Sequence, residues 1–89
     1  MGATRQAALK ILDRIETANR LGGLFRAEAA GMLRALSQLP PADPPIYADH
    51  GQQAAYLRGY RDAQEIIAVE GTLAARMSAA PVAQQAARR

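Results

Sequence analysis

The fold is decided by residues 22–45, which read GGLFRAEAAGMLRALSQLPPADPP. The two leading glycines are typical of a helix stop followed by a tight αα-hairpin. Four prolines in the last six residues forbid helix and favour an extended spacer of the polyproline type. Between these signals, apolar side chains recur at spacings of four and three, which predicts a helix over 24–39 with a heptad-like seam. The seam consists of Phe25, Ala29, Met32, Leu36 and Leu39, widened by Leu24 and Leu33.

Helical patterns flank this stretch on both sides. Residues 4–20 carry one apolar face with the 3.6-residue period, formed by Ala8, Ile11, Leu12, Ile15 and Ala18. After the Pro-rich linker 40–47, Asp49 and Gln52 form a capping-box-like pair that begins a third helix, predicted over 49–78. Pro81 is expected to end any helix and to leave 81–89 as a loose basic tail.

These patterns predict an all-α protein with a single helical domain over 1–80. Its architecture is a small three-helix arrangement, in which an αα-hairpin is joined by the Pro-rich linker to one long helix. The chain has 89 residues and 21 alanines, with no tryptophan and one phenylalanine. Alanine favours helix and lets helices approach closely, but it buries little apolar area. Because so thin a core is marginal in a short chain, we expect stabilisation by a partner or by a homodimer.

No catalytic or metal-binding constellation is found in the sequence. The absence of cysteine excludes disulfides, thiolate zinc sites and thiol nucleophiles. His50, the one histidine, is expected in an exposed first turn, and the adjacent Asp49 points away from it. Asp62 and Glu65 lie between arginines and indicate a solvated, salt-bridged face. We therefore expect no enzymatic activity, no metal and no cofactor.

Charge and hydropathy set the expected partners and location. The net charge is +3, but basic and acidic side chains are mixed along the chain rather than clustered. No run approaches the roughly 20 apolar residues of a membrane span, and the N-terminal residues lack the apolar stretch of a secretory signal, so we expect neither. We expect a cytoplasmic protein with a protein partner and no membrane contact, and nucleic acid stays open as a second kind of partner.

The segment 56–62 on the long helix is the leading candidate for a binding surface. Tyr56 and Tyr60 lie one turn apart and are interleaved with arginines, a composition typical of binding hot spots. Leu57 is expected to project away from the core, as Leu9 does on the first helix. Tyrosines at this spacing also line cores, and that alternative stays open. The predicted partner-binding residues are Tyr56, Leu57, Tyr60, Arg61, Arg14 and Arg20.

Two carboxylates break the apolar pattern. Glu70 projects near the middle of the apolar face of the long helix, and Glu28 lies at the edge of the apolar face of the second helix. A carboxylate buried without a partner is costly, so Glu70 must be paired or lie at an edge. The candidate partners are Arg14, Arg26 and Arg34. The alternative is a kink at Gly71 that turns Glu70 towards solvent.

Two segments carry a family resemblance. Residues 18–36 contain a Leu-Gly-Gly-Leu step into an alanine-rich helix, and residues 55–67 contain Leu-Arg-Gly-Tyr-Arg-Asp-Ala. Arginine outnumbers lysine by ten to one, as in GC-rich genomes. In these features, over about a third of its length, the chain resembles small helical orphan proteins of bacteriophages and mobile elements. The resemblance implies an accessory protein that regulates or inhibits host machinery, including defence systems such as CRISPR complexes.

The leading hypothesis is a phage-type protein-binding module that inhibits or regulates a host macromolecular complex by steric occlusion. The second is a small nucleic-acid-binding regulator, in which Arg5, Lys10 and Arg14 contact phosphates. The third is a self-assembling structural subunit, suggested by the thin core and the heptad-like seam.

Overall fold

Three helices build the protein, and no strand occurs in the described residues. The computed structural model describes residues 3–43 and 45–88, with side-chain surroundings as far as Met77. Helix α1 is Arg5–Leu21, α2 is Leu24–Leu36 and α3 is His50–Arg88. The predicted all-α class and three-helix arrangement are confirmed. At 1.5 Å per residue, α3 is about 58 Å long, which accounts for the longest dimension of the molecule, 62 Å.

Short polar contacts fix the helix ends that the sequence signals. The Ala7 N–H donates to Thr4 Oγ1 at 3.1 Å, so Thr4 caps α1. Gly22 follows α1 with a φ of 74°, in the left-handed region that glycine adopts without strain. The Gln52 N–H donates to Asp49 Oδ1 at 2.8 Å, which confirms Asp49 as the cap of α3.

Helix α2 ends at Leu36, three residues before the predicted end. Gln38 adopts a left-handed φ of 62°, and its N–H donates to the Ala35 carbonyl at 3.0 Å. The Leu39 N–H donates to the Arg34 carbonyl at 3.2 Å. This pair of bonds is a Schellman cap, here built on glutamine in place of the usual glycine. The expected continuation to Leu39 was wrong because the apolar spacing gives no sign of such a cap.

The expected end of α3 near residue 78, with a loose tail over 81–89, is also corrected. The α-helix continues through Pro81 as far as Arg88, and Arg89 lies outside the described residues. An internal proline removes one backbone hydrogen bond and crowds the carbonyl four residues earlier. The residues around Pro81 include several alanines, the strongest helix former, and these favour continuation of the helix on both sides.

Small residues form most of the core. Of the ten buried hydrophobic residues, seven are alanines, and the larger three are Ile11, Met32 and Tyr56. The predicted seam on α2 is only partly correct. Ala29 and Met32 are buried, but Phe25 is exposed. The face of α2 that packs on α3 is therefore a different one.

Helices α2 and α3 meet through small residues spaced four apart on each helix. These are Ala27, Gly31 and Ala35 on α2, and Ala55, Gly59 and Ala63 on α3. A Cβ atom on Gly31 would lie 2.8 Å from the Tyr60 nitrogen and closer still to the Tyr56 carbonyl oxygen. A Cβ atom on Gly59 would lie 2.7 Å from the Glu28 carbonyl carbon and closer still to its oxygen. The two backbones are therefore in direct contact, with no space for a side chain between them.

The Pro-rich linker and Leu39, the residue before it, are hydrogen-bonded onto α2 and α3. The Ala42 N–H donates to the Tyr56 hydroxyl at 3.2 Å, and the Tyr60 hydroxyl donates to the Leu39 carbonyl at 2.8 Å. Arg34 Nε donates to the Pro40 carbonyl at 2.7 Å. The linker therefore acts as a packed layer of the fold as well as a connection.

The backbone contact predicts opposite effects of the same substitution at two glycines. Gly31→Ala places a methyl group on the Tyr56 backbone, so we expect the free energy of unfolding to fall by about 3 kcal/mol. Gly71→Ala is the control, since a Cβ atom there meets no atom within 4 Å. In a helix interior that change should raise stability by about 0.5–1 kcal/mol. Guanidinium unfolding followed by circular dichroism measures both, and equal effects would contradict the close contact.

Candidate functional site

Large hydrophobic side chains lie mostly outside the alanine-rich core. Eleven of them in the described part of the chain are 45–65% exposed, whereas the core holds only three large ones. The exposed ones are Leu9, Leu12, Leu21, Leu24, Phe25, Leu33, Leu39, Ile46, Val69, Leu73 and Met77. Because contiguous exposed apolar surface marks binding sites, grooves that these side chains line are candidate binding surfaces.

One such groove opens at the hairpin, where α1 ends and α2 begins. Leu21 precedes the turn at Gly22 and Gly23, and Phe25 follows it. The side chains of Leu21 and Phe25 are 63% and 48% exposed. The groove has a volume of about 320 Å³ and receives side chains from all three helices. Its lining, which we call the hairpin groove, is Arg14, Thr17, Ala18, Leu21, Phe25, Glu28, Met32 and Asp62.

A second cleft, of about 510 Å³, lies between α1 and α3. Its lining, which we call the polar cleft, is Lys10, Asp13, Arg14, Asp62, Glu65, Ile66, Val69 and Glu70. Arg14 and Asp62 line both this cleft and the hairpin groove. The two therefore form one furrow along α1, apolar at the hairpin and charged towards the middle of the molecule.

Glu70 lies at the charged end of this furrow and is buried, with 9% of its side chain exposed. It accepts a hydrogen bond from Lys10, which also forms its ion pair. The expected arginine partners are corrected to this lysine, one turn before Arg14 on α1. The alternative, in which a kink at Gly71 turns Glu70 towards solvent, is also wrong, because Glu70 is buried.

Glu28 ties α2 to α3 beside their closest approach. Arg58 Nε donates to Glu28 Oε1 at 2.7 Å, and the Glu28 side chain is mostly buried. It is intermediate in exposure, between the buried Ala27 and Ala29. Since the Glu28 backbone also contacts Gly59, this ion pair fixes the position of one wall of the hairpin groove.

The tyrosines of the predicted binding segment belong to the fold. Tyr56 is fully buried with Ala27 and Ala55, so it offers no surface to a partner. Tyr60 is half-buried and hydrogen-bonded to the linker. Leu57 packs against the same cluster as Tyr56, which corrects its expected exposure. The helical pattern identified their face but could not reveal that the linker would cover it.

The three arginines of the predicted set are exposed, whereas Tyr56 is buried and Tyr60 is half-buried. Arg14 opens into both the hairpin groove and the polar cleft. Arg20 is paired with Glu16 one turn earlier on α1. Arg61 lies about 200° around α3 from Gly59 and so points away from α2. The sequence analysis did not identify Leu21 and Phe25 as binding residues. The available signal was that both lie beside the Gly22-Gly23 turn.

The Lys10–Glu70 pair gives a stability prediction. Lys10→Met removes the cation, leaves the buried carboxylate unpaired, and should lower the free energy of unfolding by about 1–2 kcal/mol. Adding Glu70→Met should recover most of that loss, because the buried charge is gone. Arg20→Met, which breaks an exposed pair, is the control and should cost less than about 0.5 kcal/mol. A double variant less stable than Lys10→Met, measured by chemical unfolding, would contradict this account.

Two other kinds of site, a metal site and a membrane-spanning helix, are absent from the described residues. Within them, no three histidine or carboxylate side chains are grouped so as to hold a metal ion. None of their helices combines the length and apolar character needed to cross a membrane. Comparison of the chain with family models, curated proteins and solved structures finds no match. The furrow along α1 is therefore the candidate site, interpreted from its own residues.

Proposed function

We propose that this protein is a small protein-binding module that inhibits or regulates a macromolecular complex by steric occlusion, with the hairpin groove as its contact surface. The observation that carries the proposal is that the small apolar side chains are buried and most of the large ones are exposed. Alanines fill the core, while Leu21 and Phe25 extend into solvent beside a groove. Their apolar surface contributes to stability only when something buries it, and a protein partner would do so.

The chemistry of the groove supports a protein partner. Phe25 is the only phenylalanine of the chain, and aromatic side chains and arginine are enriched in protein interfaces. Arg14, Glu28 and Asp62 surround the apolar centre with both signs of charge. This is the usual anatomy of an interface, an apolar core within a polar rim. We infer a partner that presents an apolar anchor flanked by charged side chains.

The scaffold supports tight docking without rearrangement. The backbone contact at Gly31 and Gly59 fixes α2 against α3, and the Glu28–Arg58 pair lies beside it. A groove held in this way is preformed, so binding loses little conformational entropy. A rigid wedge of three helices would block a larger partner surface simply by occupying it.

The class of target in this proposal comes from the resemblance to bacteriophage accessory proteins. In the proposal the partner is a host complex, and defence complexes of the CRISPR type are included. The nucleic-acid alternative receives little support from the cations of α1. Lys10 is engaged by Glu70, and Arg14 shares the polar cleft with four carboxylates, counting Glu70. Such neighbours reduce the positive potential that phosphate binding requires.

The test is capture of a protein partner from a nuclease-treated bacterial lysate, using tagged chain and two matched variants. Leu21→Asp with Phe25→Asp introduces charge into the apolar centre of the groove and should abolish capture of a stoichiometric partner. Leu33→Asp is the control. Leu33 is equally exposed on α2 but does not line the groove, so its variant should capture normally.

Both variants should keep the helical circular dichroism of the parent, because all three positions are exposed. Equal capture by the groove variant and the parent would place the contact surface elsewhere. Loss of every partner on nuclease treatment would favour the nucleic-acid regulator instead. In that case binding should weaken steeply as salt concentration rises.

A further inference from the structure

One face of α3 is left open by the rest of the molecule. Val69 and Leu73, one turn apart on this face, are 58% and 48% exposed. A shallow groove here is lined by Ala68, Val69, Thr72, Leu73 and Arg76, all from α3. No other described element contributes to that lining. Val69 also borders the polar cleft, and Leu73 borders α1 near Arg5, so about half of each side chain is uncovered in the monomer. We call the residues from Glu65 to Arg76 on this face the α3 stripe.

Opposite charges bound the α3 stripe. Glu65 lies at one end and Arg76 at the other, both exposed, 11 residues or about 16 Å apart along the helix. Within the described part of the chain, neither side chain takes part in an ion pair. Along the helix, the stripe therefore begins with an acidic side chain, continues with apolar ones and ends with a basic one. Two copies of the stripe that run in opposite directions are complementary in charge.

We propose that the α3 stripe binds a second copy of this chain in an antiparallel, two-fold arrangement. Each Glu65 then faces Arg76 of the other copy, and the apolar centres around Val69 and Leu73 cover one another. A parallel arrangement is disfavoured because it would place Glu65 on Glu65 and Arg76 on Arg76. Two-fold pairing uses the same patch on both copies, as isologous dimers do.

The size of the stripe sets the strength of the pair. A contact about 16 Å long on single helices is smaller than a standard interface of about 1,600 Å². The dimer is therefore of the weak, concentration-dependent class. The stripe shares Glu65 and Val69 with the polar cleft but no residue with the lining of the hairpin groove, so the dimer contact and the proposed groove contact are made by different residues. The pairing is thus independent of the proposed function and can fail without it.

Sedimentation velocity of the full chain from about 1 µM to about 1 mM tests the pairing, over the range typical of weak contacts. We expect the average mass to rise from monomer towards dimer. Glu65→Arg and Arg76→Glu should each weaken association about tenfold, because each places like charges together. The double variant Glu65→Arg, Arg76→Glu should restore association to the parent level, because it reverses both ion pairs. A monomer at every concentration, or no recovery in the double variant, would overturn the proposal.

Cysteine cross-linking then fixes the orientation, since the parent chain has no cysteine. Under oxidation, a mixture of Glu65→Cys and Arg76→Cys chains should give the mixed disulfide dimer. Arg76→Cys alone should not cross-link, because its two copies lie about 16 Å apart along the pair. Efficient self-cross-linking of Arg76→Cys would show a parallel pair and overturn the antiparallel arrangement. Circular dichroism of each variant confirms that exposed substitutions leave the helices intact.

Discussion

The direct contact between the backbones of α2 and α3 is the constraint on which the other features depend. At Gly31 and Gly59 each helix lacks a side chain, so each approaches the carbonyl groups of the other. This approach sets the register of α3 against the hairpin. In that register Tyr56 enters the core beneath the linker, and Glu28 meets Arg58. Alanines on either side of the glycines extend the contact, since their methyl groups fill the remaining space.

A core of this kind determines the surface as well. Close helix packing gains many dispersion contacts from small residues and leaves no volume for large ones. Large apolar side chains must then lie outside, which is where Leu21, Phe25, Val69 and Leu73 are found. In most small domains such side chains would stabilise the fold. Here they are available to other molecules, at the hairpin groove and at the α3 stripe.

The sequence predicted the parts of the fold that depend on local chemistry. The Gly22-Gly23 turn, the linker prolines and the Asp49 cap have residue-level signals, and the three helices follow from them. The packing face of α2 had no such signal. Hydrophobic periodicity places Phe25 and Leu39 on the packing face because they are large and apolar. It takes no account of Gly31, although the Gly31 backbone lies closest to α3. The partner of Glu70 was missed for a related reason, because Lys10 and the candidate arginines are equivalent until the rotation of α1 is known.

The course of the linker explains why both candidate surfaces lie on the same side of α3. Helix α2 covers the face around Gly59, and the linker covers the neighbouring face through the hydroxyls of Tyr56 and Tyr60. The side of α3 that neither α2 nor the linker covers carries Asp62 and Val69, which line the furrow. The same side continues into the α3 stripe at Leu73. Because the linker covers the tyrosines, the exposed apolar side chains of α3 lie on this open side and not in the segment 56–62. Binding there requires no part of the core to open.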